Sequence, residues 1–245
     1  MSRIKLLCFG YAGSSAQFYK SWRADLHHDM EIVPIELPGR GPRINDQLCY
    51  EMDTIVKDAY RQVSQVLSES ACQYALFGHS MGTVVIYEFL RKLQLEGGLP
   101  NPLHVFFSGR YVPQNEISTP IHSLRTSAFK DRIRELGGTA DEVLDDPELC
   151  ELFMPIIRSD FQALETYCFK SLEAEWDFDL SVIYGTQDPN FAVQDYLGWR
   201  QFTAKSCDFY GIDGGHFFIH SHKSEVIGIV NEVLKRNLQQ VLIFS

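Results

Sequence analysis

With 245 residues, 45% of them apolar, the chain is long enough for one large α/β domain with a sizeable core, and two full domains would be cramped. A formal net charge of -10 and the lack of any lysine- or arginine-rich run argue against nucleic-acid binding, which needs a basic face to neutralise phosphates. No segment approaches the roughly 18 to 20 apolar residues of a membrane-spanning helix, and the six cysteines are scattered without a Cys-x-x-Cys pair, as in a cytoplasmic protein with reduced thiols.

In chain order, Met1-Ser2-Arg3-Ile4-Lys5 and the apolar residues after it faintly mimic a secretory leader, but the run breaks at Gly10, too soon for one. Ile4–Phe9 reads instead as a strand, followed by the small-residue turn Gly10-Tyr11-Ala12-Gly13-Ser14-Ser15. Further strands are expected at Glu31–Ile35, Tyr74–Phe77, His104–Ser108, Leu180–Tyr184 and Cys207–Tyr210. Helical patterns lie between them, around Phe18-Trp22-Leu26 and from Met52 to Leu67, with apolar residues at three and four spacing. Such alternation implies crossovers and a mostly parallel sheet flanked by helices.

From about 110 to 175 no strand-like run interrupts a series of helices, which reads as an insertion placed to act as a lid. Ser127 is the expected cap of a helix bearing Phe129, Ile133 and Leu136, stopped by Gly137-Gly138, and Thr139 with Glu142 suggests a capping box. Asp146-Pro147 should start a longer helix, bent at Pro155. Phe153, Phe161 and Tyr167 read as core more readily than as pocket lining.

The sharpest signal is Gly78-His79-Ser80-Met81-Gly82, directly after the run Tyr74–Phe77 and before a helix-like stretch from Thr83 to Lys92. A serine between two glycines at a strand-to-helix turn matches a nucleophile elbow. A hydroxyl cannot attack a carbonyl unaided near neutral pH, so Ser80 needs a histidine base oriented by a carboxylate, in the chain order serine, acid, histidine. His216, in the loop Asp213-Gly214-Gly215-His216, is preferred to His104, His122, His220 and His222. Asp188, in the loop after the fifth strand, is preferred to Asp160, Asp195 and Asp213. Oxyanion donors are expected from the Met81 amide and from Tyr11 or Ala12. The bland alternatives are a turn serine at 80, a turn-starting Asp188 before Pro189, and a metal grouping of His216, His220 and His222 that lacks a cysteine or acidic complement. His79 is expected to pack behind the elbow, and Arg40 and Arg43 to fix the Pro38-Gly39 turn.

Phe9-Gly10-Tyr11-Ala12-Gly13, Glu36-Leu37-Pro38-Gly39-Arg40-Gly41-Pro42-Arg43, Phe77-Gly78-His79-Ser80-Met81-Gly82, Arg158-Ser159-Asp160-Phe161 and Gly214-Gly215-His216-Phe217-Phe218 together resemble the type II thioesterases of polyketide and nonribosomal peptide synthesis. These landmarks span nearly the whole chain; Gly10 stands where the family usually has proline, and Ser14 where it usually has a second glycine. The resemblance implies an α/β-hydrolase that removes acyl or aminoacyl groups from the phosphopantetheine arm of an acyl- or peptidyl-carrier protein, with no cofactor, metal or nucleotide. A monomer is expected. Carrier proteins in such pathways are acidic, so Arg125, Lys130, Arg132 and Arg134 suggest a docking patch as an alternative to a solvated face. The rivals are a general carboxylesterase, lipase or peptidase, a non-catalytic carrier-binding module, and a chain-releasing domain of a larger synthase.

Overall fold

Six short runs rich in β-branched and aromatic residues form the strands β1 (Ile4–Phe9), β2 (Met30–Ile35), β3 (Tyr74–His79), β4 (His104–Ser108), β5 (Asp179–Gly185) and β6 (Cys207–Ile212). The computed structural model describes residues 4–69, 72–114, 120–189 and 193–244. Within it the sheet runs in the order β2-β1-β3-β4-β5-β6, and every neighbouring pair is parallel. Parallel pairing forces crossovers, which contain α1 (Met52–Ser68), α2 (Met81–Glu96), α3 (Thr126–Leu136), α4 (Asp141–Asp145), α5 (Pro147–Glu165) and α6 (Val193–Leu197), while α7 (Phe218–Ser221) and α8 (Lys223–Phe244) follow β6. The side chains of the apolar C-terminal residues 241–245 lie outside the described residues.

Side chains alternate along the strands, so the sheet has two apolar faces. Leu7, Phe9, Leu76, Val105, Phe107 and Val182 pack with α1 and α2, while Leu6, Cys8, Ala75, Phe77, Phe106 and Ile183 pack with α8. Tyr19 and Trp22 close the second face from a 3-10 segment, Ala16–Trp22, where the spacing of Phe18, Trp22 and Leu26 suggested an amphipathic α-helix. The register aligns Phe9 with Gly78 and His79 with Ser108, so the turns after β1, β3 and β4 emerge side by side. That edge, at the carboxyl ends of the strands, is where open parallel sheets gather ligand-handling loops.

Between β4 and β5 the regular elements are helices, and they carry a small cluster of their own: Ile121, Phe129, Ile133, Leu144, Met154 and Ile157. Phe153 and Phe161 pack on this cluster and Tyr167 on the main core, consistent with their apolar spacing. Asp146 caps α5 as expected, accepting from the amides of Glu148 and Leu149, and the helix continues through Pro155. Two other caps differ. Helix α3 begins at Thr126, one residue before Ser127, and α4 starts after Ala140; neither has a side-chain cap. A cap needs extended backbone at one residue with the following amides in reach, and a sequence pattern does not fix that geometry.

Candidate active site

Ser80 joins β3 to α2 with φ 52° and ψ -109°, and it is the one non-glycine residue with positive φ among those described. The flanking glycines permit that turn. A Cβ on Gly82 would lie 2.5 Å from the Phe9 carbonyl oxygen, and one on Gly78 would lie 2.5 Å from the Gly82 backbone. The Ser80 amide donates to the Ser108 carbonyl at 2.8 Å, and Thr83 Oγ1 donates to the carbonyls of Gly78 and Ser108. These bonds hold the elbow against β4 and leave the Ser80 hydroxyl to face the loops.

His216 comes from the glycine-containing loop between β6 and α7, and its Nε2 lies 3.1 Å from Ser80 Oγ. Its Nδ1 lies 2.7 Å from Oδ2 of Asp188, whose side chain is fully buried in the loop after β5. An ionised carboxylate only accepts, so Nδ1 carries the proton and the Nε2 lone pair is turned toward the serine hydroxyl. The Gln187 amide donates to the Gly214 carbonyl at 3.0 Å, tying the acid loop to the histidine loop. The structure thus brings together Ser80, His216 and Asp188, which the sequence separates by as many as 136 residues.

Met81 is the first residue of α2, so its amide has no partner within the helix. Opposite it, the chain after β1 closes a turn: the Ser14 amide and Ser14 Oγ both donate to the Tyr11 carbonyl, at 3.0 and 2.7 Å. The Gly13 amide is committed to Asp160 Oδ2 at 2.7 Å. Neither the Tyr11 nor the Ala12 amide is engaged by these bonds, and one of the two is the second oxyanion donor expected from the sequence. Ser14 uses its hydroxyl to brace the turn. Tyr11 Oη pairs with His220 Nε2 at 2.8 Å, and burial raises the phenol to about 12.

The remaining histidines and acids have other partners. His79 packs behind the elbow, with Nδ1 2.9 Å from Ser108 Oγ and its ring 5.4 Å from that of His216. Burial lowers its pKa well below the usual value, with the neighbouring His216 acting in the same direction, so it stands neutral beside the relay. His220 faces Tyr11 and His222 faces Ser221, so the three-histidine grouping does not form. His104 bonds Ser181 and Asn237, His122 pairs with Glu165, and Asp213 accepts from Gln187.

One pair went unread in the sequence. Arg43 does brace the turn, donating to the Glu36 carbonyl and to Asp58, but Arg40 reaches away to Asp160 on α5. It forms a two-pronged bond, Nη1 to Oδ2 at 2.5 Å and Nη2 to Oδ1 at 2.7 Å, with both side chains nearly excluded from solvent. The two residues, of opposite charge, sat in separate landmarks, and that was the available signal. The expected basic patch is also largely spent on local acids: Arg134 on Asp131, Asp141 and Asp145, Arg132 on Glu135.

The model of the family described as the thioesterase domain matches residues 4–234. The chain belongs to the thioesterase family. ClbQ from the colibactin NRPS/PKS pathway superposes with a TM-score of 0.90 at 31% identity, covering 100% of both chains. BorB, the type II thioesterase from the borrelidin biosynthetic cluster, gives 0.81 at 28% identity over 94% of this chain and 92% of its own. Linear gramicidin dehydrogenase LgrE of Brevibacillus parabrevis is 30% identical over 241 residues, 97% of this chain and 90% of that protein. The protein is a type II thioesterase of the kind found in NRPS and PKS pathways, with an α/β-hydrolase fold. Among the described residues of this thioesterase, no helix is long and apolar enough to cross a membrane.

Proposed function

We propose that this type II thioesterase hydrolyses acyl or aminoacyl thioesters carried on the phosphopantetheine arm of acyl- or peptidyl-carrier proteins, using Ser80, His216 and Asp188 as its triad. The observation that carries the proposal is the hydrogen-bonded series from Ser80 Oγ through His216 to Asp188 at the carboxyl edge of the sheet. Ser80 Oγ attacks the thioester carbonyl while His216 Nε2 takes its proton, and Asp188 stabilises the imidazolium. The oxyanion forms against the Met81 amide and that of Tyr11 or Ala12. Collapse breaks the carbon–sulfur bond, and His216 returns the proton to the departing thiolate. A water then attacks the acyl-enzyme, losing its proton to His216, and the second collapse releases the acid and restores Ser80.

The helices from about 110 to 175 act as a lid on a single domain, a reading supported by the separate apolar cluster they enclose. The protein works as a cytoplasmic monomer, in keeping with the free state of its six cysteines. The name of LgrE raises hydride transfer as another chemistry. A dinucleotide-binding turn after a first strand reads Gly-x-Gly-x-x-Gly, and here the first of those positions is Cys8, so the chain itself gives that reading no support.

Intact-mass analysis of carriers bearing different acyl groups, before and after enzyme, tests the proposal. Loss of the acyl mass is expected, with Ser80→Ala slowing it by at least about 10⁴-fold. A Ser80→Ala protein that still unloads the carrier at the wild-type rate ends the triad assignment. A preference for a small ester over the acylated carrier would instead favour a general carboxylesterase.

A further inference from the structure

Asp160 lies on α5, among the helices between β4 and β5, yet its carboxylate is directed at the turn after β1. Oδ2 accepts the Gly13 amide at 2.7 Å as well as Arg40 Nη1 at 2.5 Å, and Oδ1 accepts Arg40 Nη2 at 2.7 Å. Arg40 also reaches the Ser14 carbonyl at 3.4 Å. The turn packs on the same helix: a Cβ on Gly13 would lie 2.7 Å from Cγ1 of Ile157, one turn before Asp160. At its far end, Glu36 accepts from Ser15 Oγ at 2.5 Å and from the Ala16 amide at 3.0 Å. Buried carboxylates therefore grip the chain at two successive points just after Tyr11 and Ala12.

Burial of an ion pair is a poor route to stability, because taking both charges out of water offsets most of their attraction. Aiming is what this pair supplies. A carboxylate alone beside the oxyanion turn would oppose the negative charge that develops there, and the fork of Arg40 neutralises it while leaving one lone pair for Gly13. With the Gly13 amide held by Asp160 and the Tyr11 carbonyl engaged by Ser14, the peptide planes on either side of Ala12 lose their freedom to rotate.

We infer that Asp160, neutralised by Arg40, is a positioning residue that holds the oxyanion turn in its donor orientation, so that seating of α5 and assembly of the oxyanion hole are one event. The inference rests on the serine-hydrolase reading above. It predicts a defect in transition-state stabilisation, since the turn contributes to binding the oxyanion and not to holding the carrier.

The test uses the full chain, a small N-acetylcysteamine thioester, and an alkyl boronic acid that forms a tetrahedral adduct on a serine nucleophile. Asp160→Asn, shown to be folded by circular dichroism, should lower kcat about 10- to 100-fold with KM within about 3-fold of wild type. The boronate should weaken by the same factor as kcat/KM, a correspondence that a general loss of stability does not produce. If Asp160→Asn does not fold, Arg40→Lys keeps the charge, removes the fork and is read the same way. A folded variant with kcat within about twofold of wild type overturns the inference, as does lost kcat with unchanged boronate affinity. Ser80→Ala is run beside it. An inactive Ser80→Ala with a fully active Asp160→Asn sinks this inference alone, whereas an active Ser80→Ala sinks the triad reading beneath it.

Discussion

At the level of single residues, two buried histidines make the protein sensitive to acid. Burial drives His104 down to about 4 from 6.5, with Arg236 acting in the same direction and Asp179 against it. His79 is lowered for the same principal reason. The unfolded chain therefore binds protons more readily than the folded one, so the stabilisation is complete above about pH 6.5 and drains away toward pH 4. Between pH 7 and 5, His104 alone should remove about 2 kcal/mol. Urea denaturation at the two pH values checks this, and His104→Asn should flatten the dependence; an unaltered slope would count against the assignment. The residues of the proposed triad stand out in the sequence because each is marked locally: Ser80 between glycines, Asp188 and His216 in loops after strands. Arg40 and Asp160 were not, because their relation is made across 120 residues by packing alone. Taken singly, one looked like a turn residue and the other like a spare acid.

Helices and strands differ in how firmly they are held. The strands are buried between two layers, whereas α3 and α4 rest on the small cluster around Phe129, Leu144 and Met154. The end of α5 is different again, since Asp160 bonds the β1 turn and Ala163 and Leu164 belong to the main core. Hydrogen exchange should therefore divide the helical segment, with α3, α4 and the first half of α5 exchanging at least about 100-fold faster than β1, β3 and β4. The second half of α5 should follow the strands. Protection of residues 127 to 157 equal to that of the sheet would argue against an opening lid. The central strands β3 and β4 could be read from runs of apolar residues because they are buried on both faces. The starts of α3 and α4 could not, since the backbone places Arg125 and Ala140, and not Ser127 and Thr139, at the cap positions.

For the molecule as a whole, the net charge of -10 bears on how a partner is met. With Lys130, Arg132 and Arg134 already set against Asp131, Glu135, Asp141 and Asp145, the surface of α3 and α4 offers little attraction to the acidic carrier proposed above. Encounter then works against like-charge repulsion, and screening should help it. Raising salt from about 20 to about 200 mM should hold or increase kcat/KM for an acylated carrier and leave a neutral small thioester unaffected. A several-fold fall would reveal a steering basic face elsewhere. The backbone at Ser80 sets a different limit on the molecule. Its left-handed φ is a conformation that glycine adopts freely and serine holds at about 1–3 kcal/mol, an appreciable share of what keeps a domain folded. A glycine at 80 would relieve that strain and carry no hydroxyl, so the proposed nucleophile is held at a standing cost to the stability of the fold.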